Sequence, residues 1–269
     1  MKLNFNIYIL FFFLVFQNLQ AVELNGKFIQ GSFILGIAKP GSQVFIDNKK
    51  IRVSKEGYFA FGLGRDRKNN VIIKVYKDGV VETVEKKVLK KKYNIQRIDG
   101  LPKKQVTPPK EVYERIKQDN ILIGKARQID SSLDFFKDKF IIPVDNAIIT
   151  GVYGSQRILN GKPRRPHYGL DFADKEGTPV KAMMEGKVTL SEKDLYFTGG
   201  TIIFDHGHGI STLYMHMKDI HVKKGQLVKQ GDIIGTIGKT GRATGPHLDI
   251  RLNWFNVKLD PASVLKLNW

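Results

Sequence analysis

The 269-residue sequence contains no cysteine. That excludes disulfides, thiolate metal sites, a cysteine nucleophile and a lipid-bearing N-terminal cysteine. A metal site in this chain must use His, Asp or Glu. Histidine is scarce as well: there are 6, and none precedes His167. Acidic residues are outnumbered, 26 against 44 Lys and Arg, for a formal net charge of +18. Such a surplus attracts nucleic acid, anionic membranes and cell-wall polymers alike, and does not choose among them. The densest basic run, Lys86, Lys87, Lys90, Lys91 and Lys92, lacks interleaved aromatics. It reads as a solvated face and makes no case for a nucleic-acid partner.

Long apolar runs are also missing. The N-terminal run, Ile7 to Phe16, is about ten residues, against the roughly 20 needed to span a bilayer. It follows Met1-Lys2 and leads to a polar stretch ending at Ala21. That order is the pattern of a secretory signal, with cleavage expected after Ala21 and an uncleaved anchor as the alternative. The mature chain is expected to be exported, in the periplasm or at the cell envelope, without a transmembrane segment.

What is present is mostly β patterning. Over residues 22–98, Val44, Ile46, Ile51 and Val53 flank the turn Asp47-Asn48, and Val71, Ile73 and Val75 lead into Asp78-Gly79. Short alternating runs with hairpin turns predict a small β-sandwich. It carries no chemical constellation, so binding or positioning is its expected role. Pro102, Pro108 and Pro109 mark a linker, and Val112, Tyr113 and Ile116 at helical spacing predict a helix over 109–127. From Phe140 on, frequent turns such as Asn160-Gly161 and Gly231-Asp232 predict a compact antiparallel domain. The expected fold is therefore mainly β. Its parts are a signal (1–21), a sandwich (22–98), linker and helix (99–139) and a C-terminal domain (140–269).

Three segments carry possible chemistry. In His167-Tyr168-Gly169-Leu170-Asp171, residues four apart share one face of an extended chain, so imidazole and carboxylate can converge on a cation. A surface histidine beside an unrelated aspartate would read the same. In His247-Leu248-Asp249-Ile250-Arg251-Leu252, an apolar face alternates with a face of three ionisable groups. A half-buried strand facing water would also look like this. In Leu213-Tyr214-Met215-His216-Met217, a lone histidine between methionines is more often a core or edge residue than a catalyst.

Together these segments resemble the lysostaphin-type (LytM-type) zinc endopeptidases, from about Pro143 to Pro261. Gly169-Leu170-Asp171, Gly177-Thr178-Pro179, Glu185-Gly186, Tyr214-Met215-His216 and Thr244-Gly245-Pro246-His247 fall in that family's order. The resemblance implies a peptidoglycan peptide hydrolase with one Zn2+ per chain. It assigns His167 and Asp171 as metal ligands and His216 and His247 as catalytic. One position departs from the pattern: aspartate, Asp249, stands where the family's third ligand is histidine. Carboxylate oxygen is an acceptable zinc ligand, and Asp249 is expected to serve. Two carboxylates would neutralise the ion formally and weaken it as a Lewis acid. The same departure admits an alternative: a degenerate, inactive protein that binds cell wall or activates an amidase. Expected partners are peptidoglycan and, through the N-terminal domain, other envelope proteins. Arg242 and Arg251 are expected near the site, as carboxylate binders or as structural ion pairs. His206 and His208 are expected in a glycine-rich turn, and His221 on the surface.

Overall fold

The computed structural model describes residues 22–100 and 106–265. The expected signal segment and part of the linker (101–105) lie outside the described residues. The first strands are β1 (Val22–Asn25), β2 (Phe33–Ala38), β3 (Gln43–Ile46), β4 (Lys49–Ile51), β5 (Tyr58–Gly62), β6 (Val71–Lys77), β7 (Val80–Lys86) and β8 (Ile95–Ile98). One sheet has the order β1-β2-β5, and a second β4-β3-β6-β7. The two hairpin turns are those the residues demand. Asp47 and Asn48 have φ of 48° and 68°, and Asp78 and Gly79 have 50° and 75°. Positive φ at both central positions suits the right-handed twist of the flanking strands, and Asn, Asp and Gly tolerate it. Val71, Ile73 and Val75 are buried while Ile72 between them is exposed, so the period-two reading of this strand holds.

The sequence boundary at residue 98 places β8 with this sandwich. Its hydrogen bonds go elsewhere: β8 pairs in parallel with a strand of the C-terminal half. The stretch Ile95–Ile98 has little apolar alternation to bind it to the sandwich core, and Ile95 is exposed.

A tight 3-10 turn over Lys110–Val112 precedes helix α1 (Tyr113–Arg127), so the expected helix is regular over all but its first turn. Ile123 and Ala126 pack on Leu190, Leu195, Ile203 and Leu213. Among the described residues, no helix is long and apolar enough to cross a membrane.

The C-terminal strands are β9 (Ile148–Gly151), β10 (Gln156–Leu159), β11 (Lys162–Pro163), β12 (Leu170–Ala173), β13 (Pro179–Lys181), β14 (Gly186–Leu195), β15 (Gly199–Gly207), β16 (Ile210–Ile220), β17 (Leu227–Val228), β18 (Ile233–Ile237), β19 (His247–Trp254) and β20 (Val257–Leu259). Their main sheet has the order β17-β14-β15-β16-β19-β12-β9, with β13, β18 and β20 attached to it. Its pairings are antiparallel throughout. The fold is thus mainly β with a compact antiparallel C-terminal part.

The two halves share one hydrophobic core. Phe33 of β2 meets Phe140 edge-on at 6.2 Å between ring centroids. β5 packs against β19 and β20, and Leu259 is fully buried in the common cluster. Ser263 Oγ accepts the Phe33 backbone N–H at 3.2 Å. Replacing Leu259 with Ala is therefore expected to cost about 2–5 kcal/mol of unfolding free energy. It should lower a single transition seen by probes in both halves. Denaturant unfolding followed by tryptophan fluorescence for the C-terminal half and by native-state hydrogen exchange for the N-terminal strands will check this.

Candidate metal and hydrolytic site

The pairing of β12 with β19 brings the acidic residues together. Asp171 is directly opposite Asp249 in the register. His167, four residues before Asp171, points into the same space. Its Nε2 lies 3.1 Å from Asp171 Oδ1 and 3.3 Å from Asp249 Oδ2. One donor atom from each of the three residues lies within 4.8 Å of the others, and all three side chains are buried. The backbone is shaped around these carboxylates. A Cβ on Gly169 would lie 1.9 Å from Asp249 Oδ1, and one on Gly151 would lie 2.1 Å from Asp171 Oδ2. Only glycine allows so close an approach.

The donor set fits a zinc ion. Ligands at zinc's usual bond lengths stand roughly 3.3 Å apart around a tetrahedron, which is near the two separations seen. A direct charged hydrogen bond would draw such atoms closer, to about 2.7–2.9 Å. Asp171 Oδ1 is buried without a hydrogen-bond partner, and an orphaned carboxylate oxygen is costly unless a cation takes it. Burial opposes charge on His167, yet Asp249 and Asp171 outweigh it and raise the ring above its ordinary pKa. Burial would likewise raise the Asp249 carboxyl, but Arg251 and His167 hold it well below the usual range.

His216 and His247 stand beside this cluster, their ring centroids 4.8 Å apart. The His216 backbone is left-handed, with φ of 66°, an uncommon conformation for a residue with a Cβ. It sits where β16 leaves its register with β19, after the Met215–Asp249 pair. The irregularity turns the ring into a groove instead of the core, where a lone histidine between methionines would be read. Each ring is fixed by a backbone carbonyl: Nδ1 of His216 is 2.8 Å from Thr240 O, and Nδ1 of His247 is 2.8 Å from Gly245 O. A carbonyl only accepts, so Nδ1 carries the proton in both rings, and in the neutral form Nε2 is left as a base. Burial and the neighbouring His247 and Arg251 charges push His216 down to about 4, against the pull of Asp249.

The groove holds about 330 Å³. His216, His247, Asp171 and Asp249 line it together with Arg157 and Arg242. Part of its wall comes from outside the C-terminal half: Gln96 and Ile98 of β8 line it, and Gln96 Oε1 accepts from Arg157 Nε at 3.2 Å. Sequence reasoning missed Arg157, whose Nη2 lies 3.4 Å from Asp171 Oδ2. No local motif marks it; the β8–β10 pairing puts it there. A larger cavity, about 840 Å³, is lined by Lys91, Tyr93, Tyr153 and Asp260 and touches none of the histidines.

The remaining candidates lie elsewhere. Tyr214 is fully buried, and its hydroxyl accepts the Met183 N–H at 2.7 Å. His206 belongs to β15 and not to the turn. It is wholly buried, with Nδ1 2.7 Å from Glu185 O and Nε2 2.8 Å from Thr212 Oγ1. His208 does sit in the turn and packs on Phe136 at 4.6 Å. His221 is exposed.

A mainly antiparallel sheet carrying a buried His–Asp–Asp set beside paired histidines is the architecture of a metallopeptidase domain. Residues 165–261 match Peptidase family M23. The peptidoglycan DD-endopeptidase ShyA of Vibrio cholerae is 42% identical over 103 residues, which cover 38% of this chain and 23% of that protein. The match thus spans about a quarter of that relative's length. A crystal structure of a candidate M23 peptidase from Pseudomonas aeruginosa is 26% identical, with a TM-score of 0.67. It covers 89% of this chain and 96% of the other. The catalytic domain of the antimicrobial peptidase lysostaphin from Staphylococcus simulans is 35% identical over 44% of this chain and 91% of that one, with a TM-score of 0.39. Residues 165–261 thus form a domain of the Peptidase family M23 type.

Two outcomes are expected from this geometry. Gly169→Ala should displace the Asp249 carboxylate and abolish most zinc uptake while the chain stays folded; elemental analysis with circular dichroism will read both. The second concerns pH. Burial pushes His206 and His208 down to about 4 from 6.5. The unfolded chain therefore binds protons that the folded chain refuses between these values, and stability falls as pH drops through that window. In metal-free protein, the melting temperature of His206→Gln should depend less steeply on pH between 6.5 and 4 than that of the parent.

Proposed function

We propose that this protein is a zinc-dependent endopeptidase of the cell envelope that hydrolyses peptide bonds of peptidoglycan. His167, Asp171 and Asp249 would hold one ion. The observation that carries the reading is the convergence of those three buried donors beside two histidines whose tautomers leave Nε2 facing the groove. The zinc ion, when bound, supplies Lewis acidity toward the scissile carbonyl and acidifies water. The protein's own residues do the rest. His216, kept neutral by burial, accepts the proton from the attacking water at Nε2. His247 is half-buried at the groove and is placed to donate to the leaving amine. Once protonated, it also hydrogen-bonds the developing oxyanion.

Substrate class follows from the groove's charge. Arg157 and Arg242 line it. Arg164 and Arg251 lie near enough that, with burial and Arg157, they lower the Arg242 pKa, so several guanidinium groups gather at this end of the groove. Stem peptides with free carboxylates suit that field better than an uncharged glycine bridge, and the bond between D-alanine and a diamino acid is the proposed target. Export through a signal at residues 1–21 belongs to the same reading.

The first measurement is zinc content with muropeptide digestion by the purified chain. About one zinc per chain and release of cleaved cross-links are expected. His216→Ala should keep the zinc and lose roughly 10²–10⁴-fold in hydrolysis. A parent that takes up no zinc, even after dialysis against it, would sink the enzyme in favour of a binding protein. Undiminished turnover in His216→Ala would remove that residue from the chemistry.

A further inference from the structure

We propose that Arg251 is a positioning residue for the metal site, and that Asp249 and Arg251 act as one ligand unit equivalent in charge to a neutral histidine. The inference rests on reading His167, Asp171 and Asp249 as a zinc site.

The two residues stand two apart on β19 and so share a face. Arg251 Nη2 donates to Asp249 Oδ2 at 2.9 Å, and Nε donates to Oδ1 at 3.3 Å. The planar fork thus grips both carboxylate oxygens. Gly169 closes on Oδ1 from another side. Oδ2, 3.3 Å from His167 Nε2, is the oxygen left facing the other two donors. The carboxylate is oriented before any ion arrives.

The charge count points the same way. Zinc with one imidazole and two carboxylates is formally neutral. Arg251 in contact with one of those carboxylates adds back the one positive charge that the second carboxylate removes relative to two imidazoles and one carboxylate, a ligand set that zinc hydrolases also use. The weakening of the ion expected from a second carboxylate is thereby offset. Arg251 in turn depends on Asp249. Apart from Asp171, its other charged neighbours are basic: Arg127 and Lys258 lie close enough to feel its charge, and burial together with the arginines pushes Lys258 down to about 8. A histidine at 249 would leave Arg251 without its partner, beside a doubly charged ion.

The test is a double-mutant cycle read as zinc affinity. The full chain, stripped of metal, is titrated with zinc against a chromophoric chelator. The melting temperature of each metal-free variant confirms folding. Asp249→His alone, although histidine is itself a good zinc ligand, should bind zinc about 10- to 100-fold more weakly than the parent, because a charge is left unpaired near the ion. Adding Arg251→Met should recover most of that loss. Adding Arg251→Lys should not, since the charge stays. If Met at 251 prevents folding, Arg251→Gln serves the same comparison. The proposal is overturned if Asp249→His binds as tightly as the parent. It is equally overturned if removing the arginine charge gives Asp249→His no recovery, which would make Arg251 an ordinary structural ion pair. A parent that binds no zinc would instead remove the function on which the proposal rests.

Discussion

Two carboxylates held face to face in a buried sheet are the constraint around which the C-terminal half is arranged. Asp171 and Asp249 are paired across β12 and β19, and both are almost fully buried. Two such groups cannot stay ionised together unless positive charge is supplied. The structure supplies it from three directions: the His167 ring between them, Arg157 against Asp171 and Arg251 against Asp249. Glycines at 151 and 169 make room for the oxygens. Each of these residues bears directly on the acidic pair, and Asp171 Oδ1, although 3.1 Å from His167 Nε2, makes no hydrogen bond of its own.

The two groove histidines proposed for hydrolysis depend on the same sheet, through its irregularity. A regular β16 would alternate His216 with its neighbours in unbroken register. Instead the strand departs from β19 after Met215, and the left-handed backbone at His216 aims the ring at the groove. Sparsely populated backbone conformations persist only where surrounding contacts over-determine them. Here the contacts are the His216 N–H to Thr198 O at 2.8 Å and the ring Nδ1 to Thr240 O. A turn from one side and a loop from the other thus set both direction and tautomer.

Much of this was legible in the sequence, and the limits have physical causes. Period-two patterning found the hairpins, because residues such as Asp78-Gly79 announce their own backbone angles. The three chemical segments were readable because each is local: His167 to Asp171, the His247 strand, the His216 strand. What stayed hidden is non-local. The β8–β10 pairing that brings Gln96 and Arg157 to the groove joins residues about sixty positions apart, with no shared motif. His206 reads as a turn residue because it adjoins Gly207, yet strand β15 runs through it and Thr212 and Glu185 satisfy its ring in the core. The partnership of Asp249 with Arg251 was equally invisible. Alternation puts both on one face, but it does not say whether an arginine there reaches for substrate or for its neighbour.

The shared core gives that non-local pairing a consequence for function. β8 leaves the N-terminal sandwich and forms part of the groove wall, while Phe33 and Leu259 lock the sandwich against the sheet that carries the site. The N-terminal part is therefore not a passenger on a flexible tether. Its position fixes Gln96, Gln96 fixes one edge of the Arg157 guanidinium, and Arg157 contributes to the balance of charge at Asp171. A contact reaching across the whole chain thus ends one side chain away from the proposed metal ligands. The groove's charge and width are properties of both halves together.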